Sequence, residues 1–298
     1  MSASHVGAFA SRPAFIHTPL LTTFPMSRRK PSTFTPTAEQ RVALDLFKTG
    51  RSLKLVAFAG AGKTTTLSLL AHSSQAPGIY ITYNRSIADA SRGHFPTSVD
   101  CRTTHSLAWT AVQAACNYST SKMKNRVFPE QLRRELDIKD RNVGDVLLLD
   151  GRQQAFLVLQ TLKRFCYSSD EELSIRHVVP CGKLVGVPRE CREELDEWVL
   201  STAQRVWAMM TSSRDPMPLG HDGYQKVWSL QAPVLSCEYL LLDEAQDTNE
   251  VVLGVLRRQK CQIVYVGDPH QQIYSWRGAV NAMESLPATS EAALTQSL

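Results

Sequence analysis

Residues 57–64 read Ala-Phe-Ala-Gly-Ala-Gly-Lys-Thr and close the apolar run Leu53–Ala59. Few short patterns constrain a fold as tightly. The turn must aim successive backbone N–H groups at one anion, which Gly60 and Gly62 permit because they carry no β-carbon. The helix that follows adds the favourable dipole of its N-terminus. A buried strand, a glycine turn and a helix in that order commit the chain to an α/β architecture, with the loop at the C-terminal edge of a parallel sheet. The pattern fits [AG]-x-x-x-x-Gly-Lys-[ST], with Ala57 in first position. Ala59, Gly60, Ala61, Gly62, Lys63, Thr64 and Thr65 are therefore the expected phosphate cradle. Lys63 is placed to reach the β- and γ-phosphates of a bound nucleoside triphosphate, and Thr64 to coordinate Mg²⁺.

The flanking sequence repeats this alternation. An apolar pattern from Thr37 (Val42, Ala43, Leu46, Phe47) predicts a helix with Thr37 as N-cap and Gly50 as a stop. Lys63–Ala71 reads as a helix and Gly78–Tyr83 as a strand. A helix follows from about Ser86, a strand near Val99–Arg102, and a helical start at His105. Between about Trp109 and Leu230 strand signals are sparse. Arg152–Cys166 and Arg189–Met210 have helical spacing there, and Trp198, Trp207 and Trp228 read as packing residues. Alternation returns at Glu238–Leu242 and Gln262–Val266. The expected organisation is an ATP-binding domain from 33–108 and 231–298, with a mostly helical insert at 109–230.

Tyr239-Leu240-Leu241-Leu242-Asp243-Glu244 is an apolar strand ending in two carboxylates, a position that faces the phosphate loop. Asp243 is expected to hold Mg²⁺, and Glu244 to orient and deprotonate an attacking water.

Composition adds boundaries rather than identity. The formal charge is +5, but residues 1–30 carry four basic residues and no acid, so +1 remains without them. Net charge thus says little about the core. Residues 1–32, rich in Ser, Thr and Pro, read as a basic tail without regular structure. A mitochondrial transit peptide and a nuclear signal at Arg28-Arg29-Lys30-Pro31 stay open beside that reading. The seven cysteines are scattered with no Cys-x-x-Cys pair, which argues against a disulfide framework or a zinc site, Cys181 and Cys191 near His177 included. No apolar run is long enough for a membrane span. Lys122–Arg141, with seven basic and four acidic residues, reads as a solvated helical face, with contact to a nucleic-acid phosphate backbone as the alternative.

The downstream segments carry a specific resemblance. Asp243-Glu244-Ala245-Gln246-Asp247, together with Val266-Gly267-Asp268-Pro269-His270-Gln271-Gln272-Ile273-Tyr274-Ser275-Trp276-Arg277-Gly278-Ala279, resembles motifs II and III of UvrD/Rep-type superfamily 1 helicases. Within that group the chain is most similar to the F-box DNA helicases. Smaller segments agree: Tyr80–Ala88, Thr103–Ala108, Ser169–Leu173, and His221-Asp222-Gly223-Tyr224 with Trp228. The likeness runs from about Phe34 onward. It implies a RecA-like P-loop NTPase domain and an ATP-dependent 3′→5′ DNA helicase or translocase, stimulated by single-stranded DNA and serving recombination and repair in the nucleus.

It also implies roles. Gln40 would meet the adenine edge, and Gln271 would sense the γ-phosphate alongside Lys63, Asp243 and Glu244. Tyr83, Asn84, Arg85, Thr104 and His105 would touch single-stranded DNA. Tyr274 and Trp276 would stack on bases beside Arg277, as aromatic platforms do without reading sequence.

Two departures bear on activity. The family's F-box has no counterpart in the 32-residue tail. Ala293–Leu298 resembles the opening of motif IV, whose arginine, like motifs V and VI of a second RecA-like domain, does not appear within these 298 residues. An arginine supplied to the γ-phosphate is worth ~10³–10⁵ in rate in other NTPases. The expectation is therefore ATP and single-stranded DNA binding without unaided unwinding, the rest supplied by a second RecA-like domain or a full-length relative in trans. A non-hydrolysing regulatory fragment is the competing expectation.

Overall fold

The computed structural model describes residues 35–271 and 281–296. The tail at 1–32 and the candidate DNA contacts Tyr274, Trp276 and Arg277 lie outside the described residues.

The chain runs α1 (Ala38–Phe47), β1 (Leu53–Ala57), α2 (Lys63–His72), β2 (Gly78–Thr82), α3 (Arg85–Ser91) and β3 (Val99–Thr103). Next come α4 (Thr104–Cys116), α5 (Thr120–Lys124), α6 (Pro129–Glu135), β4 (Arg141–Val143), β5 (Leu147–Leu149), α7 (Gly151–Tyr167), α8 (Arg189–Thr211) and α9 (Gly220–Leu230). The chain then returns through β6 (Tyr239–Leu242), α10 (Glu250–Leu256), β7 (Gln262–Gly267), α11 (Ala282–Ser285) and β8 (Ser290–Leu294).

Six strands form one parallel sheet in the order β3-β2-β6-β7-β1-β8. β2 and β6 are buried along their whole length, as strands of a sheet covered on both faces must be. On one face α1 and α2 pack Ala43, Phe47, Leu67 and Leu70 against Leu53, Leu55, Tyr80 and Leu241. On the other, α10 and α11 pack Val252, Leu253 and Met283 against Ile81, Leu240 and Tyr265. This is the α/β arrangement with a parallel sheet that the turn at Gly60 implied, and it agrees with the RecA-like domain that the resemblance implied. The strands β1, β7 and β6 lie side by side and bring their C-terminal ends to one edge.

Helix α1 begins where Thr37 predicts. Its hydroxyl accepts from Gln40 N–H while the Gln40 side chain accepts from Thr37 N–H, a capping box worth about 1 kcal/mol. β1 stops at Ala57, two residues short of expectation, because Phe58–Gly62 turn into the loop. β8 was not foreseen: Ser-Glu-Ala-Ala-Leu lacks the β-branched and aromatic residues that mark strands. It is held by pairing with β1, by the Lys54–Glu291 ion pair (2.7 Å), and by Glu39 of α1, which accepts from Thr295 N–H and Oγ1 at 2.7 and 2.6 Å.

The stretch between β3 and β6 has its own apolar core, with Val158, Leu162, Phe165, Leu195, Val199, Val206 and Trp228 at its centre. It also contains an antiparallel ribbon, β4–β5, that the sparse strand signals did not reveal. Trp228 is buried, whereas Trp198 and Trp207 pack at the margin of the core, Trp207 edge-on to Phe165.

One expectation fails here. Lys122 is not on a solvated face: its ammonium is buried and donates to the carbonyls of Asp215 (2.8 Å), Met217 (2.7 Å) and Met209 (3.3 Å). Lys226 of α9 is buried likewise. It donates to the carbonyls of Ser168 (2.9 Å) and Asp170 and lies over the Phe165 ring. Burial lowers the Lys226 pKa to about 8.

Among the described residues, no group of three or more His, Cys, Asp or Glu side chains is arranged to hold a metal ion, and no helix is long and apolar enough to cross a membrane. His177 instead pairs with Asp170 at 2.9 Å. All seven cysteines are free thiols.

Candidate ATP site and its neighbours

The loop between β1 and α2 is shaped by two left-handed residues, Gly60 (φ +76°) and Gly62 (φ +68°). A side chain at either would be strained, so the glycines are conformational requirements. Gly62 is also the N-cap of α2 and has no side chain to satisfy the first-turn N–H groups, which leaves them for an anion.

Two contacts join this loop to the end of β6. Thr64 Oγ1 donates to Asp243 Oδ2 at 2.9 Å, and Lys63 Nζ lies 3.2 Å from Glu244 Oε2. The four side chains that the sequence nominates, separated by about 180 residues of chain, thus meet in pairs.

Asp243 is buried and fully engaged. Besides Thr64, it accepts from Tyr80 Oη (2.7 Å) and from Glu244 N–H (3.0 Å). Burial pushes its pKa up and the neighbouring Glu244 charge adds to that, while the hydrogen bonds from Tyr80 and Thr64 oppose it. The Tyr80 hydroxyl is raised as well, first by burial and then by Asp243, so it stays a donor. A threonine hydroxyl beside a buried carboxylate is an all-oxygen, hard donor set, which suits Mg²⁺ better than a soft metal.

This environment carries a prediction. Because the folded-state pKa of Asp243 is raised, ionising it costs stability. That cost is absent below the unfolded value and develops as pH rises from there through the folded value. Asp243→Asn keeps an acceptor for Tyr80 and Thr64 but removes the buried charge. The ligand-free variant is expected to melt at higher temperature than the unsubstituted chain at pH 7, while Mg²⁺-dependent nucleotide binding falls. Equal or lower melting temperature would count against the electrostatic reading.

Glu244 is one of four non-glycine residues among those described with positive φ (+51°, ψ 47°). A glutamate in the left-handed region costs about 1–3 kcal/mol, and such strain concentrates where a side chain must be aimed. The aim is held by Gln246, whose Nε2 donates to Glu244 Oε2 at 2.9 Å. Gln246 is buried, and its Oε1 accepts from Asp268 N–H at 3.2 Å. Asp268 in turn accepts from Gln271 Nε2 at 2.8 Å and from His270 N–H at 3.0 Å. A continuous polar chain therefore runs from Glu244 to Gln271 along the edges of β6 and β7.

Gly267 at the end of β7 makes room for it. A β-carbon there would stand 2.4 Å from Gln246 Oε1, 3.2 Å from Gln246 N and 3.1 Å from Met283 Sδ. Gly267→Ala is expected to destabilise the fold by about 1–3 kcal/mol, the usual range for overpacking, and to loosen Glu244. Gly93→Ala, whose β-carbon meets nothing nearer than 3.8 Å, is the control. Equal melting temperatures for the two would refute the packing argument.

The remaining nominated residues are placed as follows. Gln40 is buried, with Oε1 in the α1 capping box and Nε2 donating to Thr66 Oγ1 at 3.1 Å. Each end of its carboxamide retains one hydrogen-bonding position for a ligand. Gln271 is exposed at the site's rim. Tyr83, Asn84 and Arg85 sit beyond β2. Tyr83 is exposed, Asn84 caps α3 through Ser86 N–H (2.8 Å), and Arg85 lies on the surface 3.7 Å from Asp89. Thr104 and His105 open α4 beyond β3, and His105 stands edge-on to His221 and Tyr224 of α9. All five cluster at the edge that carries Asp243.

Sequence reasoning missed Tyr80, Asp268 and the left-handed Glu244. Tyr80 was readable only as a buried strand residue, and a positive φ outside glycine leaves no compositional mark.

The UvrD/REP helicase N-terminal domain family matches residues 229–286. F-box DNA helicase 1 of Gallus gallus is 34% identical over 278 residues, covering 87% of this chain and 26% of that protein. F-box DNA helicase protein 1 of Schizosaccharomyces pombe is 31% identical over 284 residues, covering 90% of the chain and 32% of the relative. The ATP-dependent DNA helicase Rep of Buchnera aphidicola is 45% identical over 53 residues, 16% of the chain and 8% of the relative. The chain thus spans about a quarter to a third of the F-box helicases it matches. With its parallel sheet, its phosphate loop and the paired carboxylates of β6, the chain belongs to the UvrD/Rep-type helicases, and its likeness within them to the F-box DNA helicases extends over nearly its whole length.

Proposed function

We propose that this chain is the ATP-binding half of an ATP-dependent DNA helicase or translocase. In this reading residues 33–108 and 231–298 form the ATP-binding domain and 109–230 the helical insert. The observation that carries it is the pair of contacts Thr64–Asp243 and Lys63–Glu244, which fit one nucleotide–Mg²⁺ site.

The residues act in an order set by their contacts. Phosphate oxygens entering the loop offer Lys63 a stronger partner than Glu244. Lys63 turns to the β- and γ-phosphates, and Glu244 is released, still held by Gln246, to accept the proton of an attacking water. Thr64 and Asp243 would hold Mg²⁺, Asp243 through water; when bound, the ion neutralises charge on the β- and γ-phosphates. Gln271, tied to Glu244 through Asp268 and Gln246, is positioned to report the γ-phosphate. Gln40 offers its two free valences to an adenine edge.

Tyr83, Asn84, Arg85, Thr104 and His105 are the proposed single-stranded DNA contacts, with Tyr274, Trp276 and Arg277 proposed from the resemblance alone. That resemblance also motivates 3′→5′ polarity and a nuclear role in recombination and repair. Titrations of the purified chain with a fluorescent ATP analogue and with single-stranded DNA, alongside ATPase assays with and without that DNA, test the reading. Mg²⁺-dependent ATP binding together with DNA binding is expected; a chain that binds neither would refute it.

A further inference from the structure

Gln225 of α9 belongs to the helical insert, yet its side chain joins two elements of the sheet edge. It is 2% exposed. Its Nε2 donates to Thr104 Oγ1 at 3.1 Å, and its Oε1 accepts from Asn249 Nδ2 at 3.4 Å. Thr104 begins α4, directly after β3. Asn249 caps α10 through Val252 N–H (3.0 Å) and ends the short turn that starts at Glu244. That turn is internally bonded: Asp247 N–H donates to the Glu244 carbonyl at 3.0 Å and Thr248 N–H to the Ala245 carbonyl at 3.3 Å. A displacement of Glu244 therefore reaches Asn249 as a unit.

The same helix also grips His105, through the edge-on contacts of His221 and Tyr224 at 6.0 and 5.8 Å between ring centroids. One buried amide thus stands between the turn that carries the water-activating carboxylate and the two residues offered to DNA. Buried amides tolerate little: if one partner moves while the other stays, a polar atom is left unpaired in the interior. The two partners are consequently favoured to move together.

We propose that Gln225 is a positioning residue that couples nucleotide occupancy to the single-stranded DNA surface at Thr104–His105. The inference rests on the proposed ATP and DNA sites and adds the route between them. By linkage, a nucleotide that moves the Glu244–Asn249 turn changes DNA affinity, and DNA changes nucleotide affinity by the same factor.

The test measures that factor in the full 298-residue chain. Fluorescent oligothymidylate is titrated with and without a non-hydrolysable ATP analogue and Mg²⁺. Gln225→Met keeps the side chain's length and removes both hydrogen bonds. Asn249→Ser keeps the α10 cap and removes only the bond to Gln225. Linked sites commonly show a coupling factor of about 5–150-fold. In both variants this factor is expected to fall toward one, while each ligand alone binds within about twofold of the unsubstituted chain, and the double variant should lose no more than either single one. A merely structural role would lower both separate affinities and the melting temperature instead, and that result overturns the proposal. So does coupling unchanged in Gln225→Met, or its absence from the unsubstituted chain when both ligands bind. If the unsubstituted chain binds no nucleotide at all, the underlying ATP-site reading falls as well, which separates the two failures.

Discussion

Lys63→Ala abolishes nucleotide binding at ordinary ATP concentrations. The ammonium is the one side-chain cation in contact with the paired carboxylates among the described residues, 3.2 Å from Glu244, and the loop's N–H groups alone cannot offset the charge of a triphosphate. Two charge-assisted hydrogen bonds to phosphate, at about 1.5–3 kcal/mol each, correspond to a loss of roughly 10²–10⁴ in affinity. The fold should survive, because the ion pair it removes is partly solvated and such pairs contribute little. Titration with a fluorescent ATP analogue, alongside a thermal melt, reads both outcomes. ATP affinity unchanged in a folded Lys63→Ala chain would remove the basis for the whole site.

Glu244→Gln should separate binding from chemistry. Glutamine still accepts from Gln246 Nε2, so the aim of the side chain is kept. It cannot take a proton from water, and general-base contributions run at about 10²–10⁴ in rate. Nucleotide affinity should hold or rise, since Lys63 no longer has a resident carboxylate to leave. Hydrolysis would be followed in single turnover with the nucleotide saturating. A rate near that of the unsubstituted chain would mean that another group activates the water, and Gln271 would be the next residue to test. The contrast between the two substitutions matters more than either alone, because only the proposed division of labour gives binding loss at 63 and rate loss at 244.

Much of this was legible in the chain itself, for identifiable reasons. The strands carrying the site are short apolar runs punctuated by glycine or aspartate, and parallel strands buried on both faces have to look that way. The loop residues announce themselves because backbone approach to phosphate requires glycine at fixed spacing. What stayed hidden depends on partners remote in sequence. β8 is a strand because β1, Lys54 and Glu39 hold it, not because Ser-Glu-Ala-Ala-Leu prefers extension. Lys122 looked like surface charge because nothing local reveals that three carbonyls from residues 209–217 surround it. Gln225 looked like any polar residue on a helix. Its two partners lie 121 and 24 residues away in opposite directions.

The two interior lysines have a consequence for how the insert is built. Each ammonium is ringed by main-chain carbonyls in the way an oxygen-coordinated cation would be, at Lys122 by three and at Lys226 by two with an aromatic face beneath. The insert therefore carries its structural ions covalently tethered. A chelator cannot strip them and a competing metal cannot exchange for them. The segments that meet at these points, 168–170 and 209–217, are fastened by side-chain ammonium groups rather than by free cations. If the neighbouring site binds Mg²⁺ and a nucleotide as proposed, the scaffold of this segment would draw on neither.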